Sequence, residues 1–553
     1  MQETTIHQRR ERLRVIIDGF CLGDAYRTTL DRVKAQGGQR SKLGMTALVW
    51  ICHSERPLGA EELCQALAVE IGSTDYNTHN SPSIQTVLSC CQGLVVVDKE
   101  RSIVRLVHYT LQDYLINHRT FFQNPHATIA ETCLTYLNLP QVMALSGSRA
   151  WSTPHSPFLE YSSLYWGVHM KKEFTKRGKA LVLKLFNRYG CHISIRLLLE
   201  HTLGRYSLRS VAGFNKFSGI HCASIFGLVE VARALTLMDS VDINGVDETG
   251  ATPLLWAAKS GNSAMVQFLL GQEGLDPDMP DSNDQAPISC AAENGHDAVV
   301  KLLLGRQDVN PNRQDRWERT PISWAAENGH AAVVELLLGQ GDVKPDRLDY
   351  NCQTPLSCAA ENGHEAVVKL LLGRGDVNAD TPDEHDRTPI SWAAEKGREG
   401  VVKLLLGRED VNPDRPDNWD QTPILWAAKN GHVAVVKLLL DRKDVNPDRP
   451  DNSGRTPISW AAGNGREAVV ELLAWRKDVN LFRPDHSGQT PSSLATKNGH
   501  EAVVKLFRRA LHDARIRCES EWRMLDGWRS GPDELDLPRS AIKLKGRNNV
   551  SQS

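Results

Sequence analysis

Between residues 216 and 510 the apolar and polar positions recur with a fixed period. Pro253, Pro287, Pro321, Pro355, Pro389, Pro423, Pro457 and Pro491 stand 34 residues apart, and Thr precedes each except at Ala286. One unit, Thr354 to Leu372, carries Ala359-Ala360, then Asn362-Gly363, then Val367, Val368, Leu370 and Leu371. Thr before Pro predicts a helix start. Thr caps free amides, and Pro fits the first helical position because its missing N–H costs nothing there. The small Ala pair lets a second helix approach closely. Asn-Gly predicts the end of the first helix, with Gly free to adopt the left-handed conformation. The four aliphatic residues predict the buried side of a second helix, and a polar loop follows. Two short helices cannot bury these faces alone, so neighbouring units must stack into a solenoid.

The unit resembles the ankyrin repeat, whose Thr-Pro-Leu-His-x-Ala-Ala-x-x-Gly-His core it follows closely. Tetratricopeptide repeats share the period, but they place Pro near the end of the second helix and lack the Asn-Gly-His turn. The usual ankyrin period is one residue shorter, and the loop Asn412-Pro413-Asp414 accounts for the difference. One period before Pro253, Ile220-His221-Cys222-Ala223, Gly227 and the run Val229, Val231, Ala232 and Leu235 predict a degraded first repeat. That gives about nine repeats. The last, with Ser492-Ser493 and Arg508-Arg509, reads as a capping unit with a wetter outer face.

Upstream, the pattern changes. Helices are predicted from about Gln8 to Gly19 and Ala25 to Ala35, in an N-terminal segment of residues 1–41. Residues 42–120 predict helices over Leu43–Cys52, Ala60–Val69 and from Ser81-Pro82 to Gln92-Gly93. The β-rich runs Leu94–Val97 and Ile103–Val107 then form a hairpin, and His108–Ile116 is helical. Three helices followed by a hairpin describe a winged helix. A connector over 121–215 is helical and aromatic, with helices over Phe158–Gly167 and Ala180–Tyr189. The tail, 511–553, is expected to be partly disordered from about Ser530. The fold class is therefore mainly α: a winged helix and helical connector ahead of an ankyrin solenoid.

The stretches Glu55-Arg56-Pro57-Leu58, Gln92-Gly93-Leu94-Val95 and Arg105 to Leu115 resemble the winged helix that follows the NACHT ATPase in fungal NLR-like (STAND) proteins. That family's His-Thr-Ala-x-x-Glu-Thr-Cys-Leu-x-Tyr-Leu signature reads here His126-Ala127-Thr128-Ile129-Ala130-Glu131-Thr132-Cys133-Leu134-Thr135-Tyr136-Leu137. The resemblance implies a sensing role in self/non-self recognition or programmed cell death. The ATPase should lie ahead of the winged helix. Only about 40 residues stand there, and they hold no Gly-x-x-x-x-Gly-Lys-Ser/Thr loop. The chain is expected to be either a naturally shortened member or a truncated reading frame, and ATP-driven switching does not carry over.

A net charge of −2 argues against a surface built for nucleic acid or anionic lipid. The helix Ser81–Cys91 has no Lys or Arg with which to read DNA. No apolar run spans a membrane, the polar start is no signal peptide, and twelve scattered Cys suit free thiols in a reducing cytoplasm. No metal or cofactor motif and no catalytic constellation appears, so the chain is expected to be non-enzymatic.

Candidate sites come from comparing repeats with one another. Change concentrates just before each Thr-Pro: Arg316-Trp317-Glu318-Arg319, Tyr350-Asn351-Cys352-Gln353, Glu384-His385-Asp386-Arg387 and Asn418-Trp419-Asp420-Gln421. In the ankyrin fold these positions are projecting β-hairpin fingers. A fixed scaffold with variable tips is what a protein-binding surface looks like, and Trp317, Tyr350 and Trp419 are its aromatic anchors. Glu293, Glu327, Glu361 and Glu395 line up toward the concave face and suggest a partly acidic groove, broken by Lys259, Lys429 and Lys497. The recurring Trp256, Trp324, Trp392, Trp426 and Trp460 read as core, each indole N–H needing a local acceptor. The repeated His296, His330, His364, His432 and His500 read as structural, because Arg398 and Arg466 replace them in two units. The expected function is a protein-interaction scaffold or sensor. The alternatives are a fragment of a STAND NTPase and a transcription regulator using the winged helix.

Overall fold

The computed structural model describes residues 22–75, 80–98, 100–147, 156–187, 192–204, 214–238 and 241–512. They fall into two compact units, residues 1–359 with 369–377, and 360–368 with 378–553. The predicted helix over Gln8–Gly19 and the tail beyond Ser530 lie outside the described residues.

In the first unit, helices α1 (Leu22–Ala35), α2 (Gly38–His53) and α3 (Ala60–Ala68) precede α4 (Ile84–Cys90). The helix expected at Ser81 begins three residues later, because the Ser83 side chain accepts from the Thr86 N–H and caps it there. Strands β1 (Leu58–Gly59), β2 (Val95–Asp98) and β3 (Ile103–Leu106) form an antiparallel sheet in the order β1-β3-β2. Val95 pairs with Leu106 and Asp98 with Ile103, which makes the expected wing. Helix α5 (Tyr109–Asn117) closes this domain, capped by the His108 ring.

The connector contributes α6 (Pro125–Leu137), α7 (Pro140–Met143), α8 (Pro157–Lys172), α9 (Lys176–Phe186) and α10 (Ile193–Leu203). Its aromatic content has a packing reason. Trp50 of α2 is fully buried and meets Phe158 and Tyr161 of α8 edge-on, at centroid distances of 5.5 and 5.7 Å. Each such pair adds about 0.5–1.5 kcal/mol beyond area burial. The winged helix and connector thus share one core.

Repeats follow in both units, each a pair of short helices such as Pro287–Glu293 with Asp297–Leu304, or Pro423–Asn430 with Val433–Leu440. Gly219–Phe226 and Val229–Thr236 form the degraded first repeat. Thr caps act as expected: Thr252 Oγ1 accepts from the Leu255 N–H at 3.2 Å. Val299, Val300 and Leu303 are completely buried, as are Val401, Val402 and Leu405. Burying each such side chain is worth roughly 1.5–3 kcal/mol. The Pro-Asp of the long loop stitches neighbours together. Pro413 is buried, and Asp414 accepts from the Asn446 N–H at 3.2 Å and from the Arg449 guanidinium at 3.4 Å.

Among the described residues, no helix is long and apolar enough to cross a membrane. The described cysteines are free thiols, most of them buried.

Candidate functional site: fingertips and a tryptophan row

Each fingertip is built on one aspartate. Asp315 Oδ1 accepts from the Trp317 and Arg319 N–H groups, both at 2.9 Å, and Asp417 Oδ1 holds Trp419 and Gln421 in the same way at 2.9 and 2.8 Å. The residue between sits in the left-handed region: Glu318 at φ 59°, Cys352 at 56°, Asp386 at 57° and Asp420 at 58°. The fingers are therefore aspartate-anchored turns and not the expected β-hairpins. The bonds to the carboxylate replace a strand ladder, and a single backbone bond links neighbouring tips. Tyr350 N–H donates to Trp317 C=O at 2.9 Å, and Asn418 N–H to His385 C=O at 3.0 Å.

This anchoring leaves the tip side chains outside. Trp317 is 45% exposed, Tyr350 71% and Trp419 45%. Arg316, Glu318, Asn351, Glu384, His385 and Asn418 are exposed as well. His385 packs against Trp419 with ring centroids 5.1 Å apart, and Arg316 is tethered to the Ser282 carbonyl at 2.7 Å. Arg319 is not a tip residue. It is half-buried, folded back over the Trp324 ring at 4.6 Å and paired with Glu327 at 2.5 Å.

The tryptophan row corrects the expectation of a core. Only Trp256 is buried, because Phe217 of the first repeat covers it edge-on at 6.3 Å. Trp324, Trp392, Trp426 and Trp460 are partly exposed. Their indole N–H groups find the needed acceptor nine residues upstream. Trp324 donates to Asp315 Oδ2 at 2.9 Å, Trp392 to Asp383 at 2.9 Å, Trp426 to Asp417 at 2.9 Å and Trp460 to Asp451 at 2.7 Å. One carboxylate thus shapes the tip with one oxygen and fixes the indole with the other.

Cations interleave with these rings, which the sequence reading missed. In the second unit Arg387 lies 3.9 Å from the Trp392 centroid and 4.3 Å from that of Trp426. Lys429 lies 4.3 Å from Trp426 and 4.6 Å from Trp460, and Arg455 lies 5.0 Å from Trp460. Each desolvated contact of this kind is worth about 0.5–2 kcal/mol. The available signal was the alternation of Arg319, Arg387 and Arg455 with Gln285, Gln353, Gln421 and Gln489 immediately before Thr or its equivalent.

Three of the four glutamates in the row are paired with cations, so the row is not a continuous acidic groove. Glu327 pairs with Arg319, Glu395 with Arg387 and Glu361 with Lys396 at 3.3 Å. Glu293 accepts from the Gln285 amide at 2.7 Å. The histidines sit at helix ends as structural donors. His330 Nε2 meets the Glu293 carbonyl at 3.0 Å and His432 the Glu395 carbonyl at 2.9 Å. Arg398 Nε does the same for Glu361 at 3.0 Å. A Cβ on Gly295, at φ 74°, would fall 2.6 Å from the His330 ring, so glycine is needed there for both reasons.

One cluster lies away from the repeats. Glu55, His126 and His169 bring potential metal-ligating atoms within 4.8 Å of one another, between the winged helix and the connector. Burial, then the neighbouring His126, pushes the His169 imidazolium down to about 3, and burial pushes His53 down to about 4. These residues share no spacing that a sequence could reveal.

The fold and this surface are those of a repeat scaffold. Models of the family described as ankyrin repeats (3 copies) match residues 187–281, 220–315, 272–349, 288–383, 322–417, 390–483 and 445–520. These matches run from residue 187 to residue 520, more than half of the chain, and the chain belongs to the ankyrin repeat family. The winged helix domain of GPI inositol-deacylase matches residues 30–124. Comparison with the curated proteins gave no match.

Proposed function

We propose that this chain is a non-catalytic recognition protein whose fingertips bind a protein partner. One observation carries the reading: an invariant aspartate turn presents side chains that change from repeat to repeat, with Trp317, Tyr350 and Trp419 exposed. Large aromatics on rigid supports are what interface hot spots are made of. Glu327 and Glu361 then act as members of ion pairs that set the local charge pattern. The partner is a protein and not nucleic acid, since α4 carries no basic residue. The match of residues 30–124 to a winged helix, together with its resemblance to the NACHT-associated type, supports a role in NLR-like sensing in the cytoplasm. The same match favours a second reading, in which this chain is the sensor portion of a STAND switch.

The test compares the full chain with its Trp317→Ala, Tyr350→Ala, Trp419→Ala triple variant. Proteins that the wild type retains from an extract of the source cells are identified by mass spectrometry. The triple variant should keep its circular dichroism and lose the specific partner at least tenfold. Retention of the same partner at full yield would reject the fingertip reading.

A further inference from the structure

The Glu55, His126 and His169 cluster is held by three elements. Glu55 follows the end of α2, His126 stands in the first turn of α6, and His169 lies near the end of α8. The two imidazoles turn the same nitrogen toward each other, Nδ1 to Nδ1 at 2.8 Å. Glu55 Oε1 lies 3.8 Å from His169 Nδ1. A tetrahedral ion with bonds of 2.0–2.1 Å needs donors about 3.4 Å apart, and these two separations bracket that value.

The outer contacts suit a ligand set. Tyr161 Oη bonds His169 Nε2 at 2.8 Å, which fixes the ring with Nδ1 aimed at the cluster. Metal-bound histidines are commonly oriented through their other nitrogen in this way. A third imidazole stands next to the cluster: the His53 ring meets His126 edge-on at 5.2 Å. Its Nε2 is buried with no hydrogen-bond partner among the described residues. An orphaned imidazole nitrogen beside two converging ones is an observation that simple packing leaves unexplained.

We propose that a divalent transition ion, zinc by its ligand chemistry, binds between Glu55, His126 and His169, with His53 able to turn in as a fourth ligand. Two imidazoles and a carboxylate suit zinc better than magnesium or calcium. Without the ion, one proton bridges the two Nδ1 atoms. With it, each neutral imidazole carries its proton on Nε2, and the Tyr161 oxygen accepts the one from His169. No net proton leaves the imidazoles. Lys172, now 2.5 Å from Glu55 Oε1, has a side chain 45% exposed and can withdraw to water as the carboxylate ligates. The ion would tie the winged helix to two connector helices and so fix the base from which the repeats extend in this unit.

The experiment uses the full chain, stripped with chelator, dialysed against zinc chloride and analysed by elemental mass spectrometry. Glu55→Gln and His126→Asn are the main variants, since neither side chain is fully buried. One equivalent of zinc should be retained by the wild type, with affinity reduced at least tenfold in each variant. Tyr161→Phe should reduce it by about 10–100-fold, because the hydroxyl orients the His169 ring and also accepts from the Glu55 N–H at 3.1 Å. Cobalt substitution should give the visible absorption of a four-coordinate nitrogen–oxygen site, and zinc should raise the Tm of the wild type only. Equal zinc retention by wild type and both variants would mean adventitious binding at other histidines and would overturn the proposal. So would the absence of retained zinc in a wild type shown to be folded.

Discussion

The guanidinium of Arg387 lies over the Trp426 indole of the following repeat, 4.3 Å from the ring centroid. It also lies 3.9 Å from the Trp392 centroid, and it pairs with Glu395. Glutamine occupies the equivalent place at Gln285, Gln353 and Gln421, so the backbone accepts either residue. Arg387→Gln should therefore fold, but it should lose about 1–3 kcal/mol, because two ring contacts go and the ion pair with Glu395 is reduced to a neutral amide hydrogen bond like that of Gln285 with Glu293. Arg387→Lys should recover less than half of that loss, since an ammonium cannot lie flat between two rings. Urea unfolding of the three proteins measures this; equal stabilities would show that the stack carries no energy.

A second expectation concerns the helix corners. His330→Ala removes the donor to the Glu293 carbonyl and should cost about 1 kcal/mol. His330→Arg should stay within about 0.5 kcal/mol of the wild type, because Arg398 and Arg466 already serve carbonyls at equivalent places. An alanine variant as stable as the wild type would remove the histidine row from the account of repeat stacking.

Acid should weaken the connector through His192. This ring is buried, bonded to the Leu137 carbonyl at 3.0 Å and to Ser194, and burial pushes it from 6.5 down to about 4. The folded state resists the proton that the unfolded chain accepts below pH 6.5. Stability is therefore unaffected above that value and falls as pH drops from 6.5 toward 4. Each unit costs about 1.4 kcal/mol. His192→Gln should lose less stability than the wild type between pH 7 and pH 5, as read by thermal unfolding at each pH. Parallel curves would show that His192 titrates normally.

The repeat was legible because its helix signals are local. Thr-Pro starts, Asn-Gly stops and Val-Val-x-Leu-Leu faces need only short-range physics, and the winged helix was readable for the same reason. What the sequence concealed was side-chain direction. Trp324 and Trp392 look like Trp256, but only Trp256 has an aromatic neighbour, Phe217, lying over it. Glu327 looks like free charge until Arg319 is seen folding back upon it. Exposed tips such as Tyr350 were readable because the aspartate turn is local. The Glu55, His126 and His169 cluster joins three segments with no repeat to announce it.

The paired aspartates impose one more condition. In two repeats that lack the indole, the aspartate turns to a cation of the repeat before it: Asp349, in the repeat of Cys358, lies 3.7 Å from Arg319, and Asp485, in the repeat of Leu494, lies 3.1 Å from Arg455. The modules look interchangeable, yet these two junctions are matched couples. Recombination that shuffled the array would set a bare carboxylate beside a glutamine at some junctions, so the order of the units behaves as a syntax and limits which rearranged arrays would still fold.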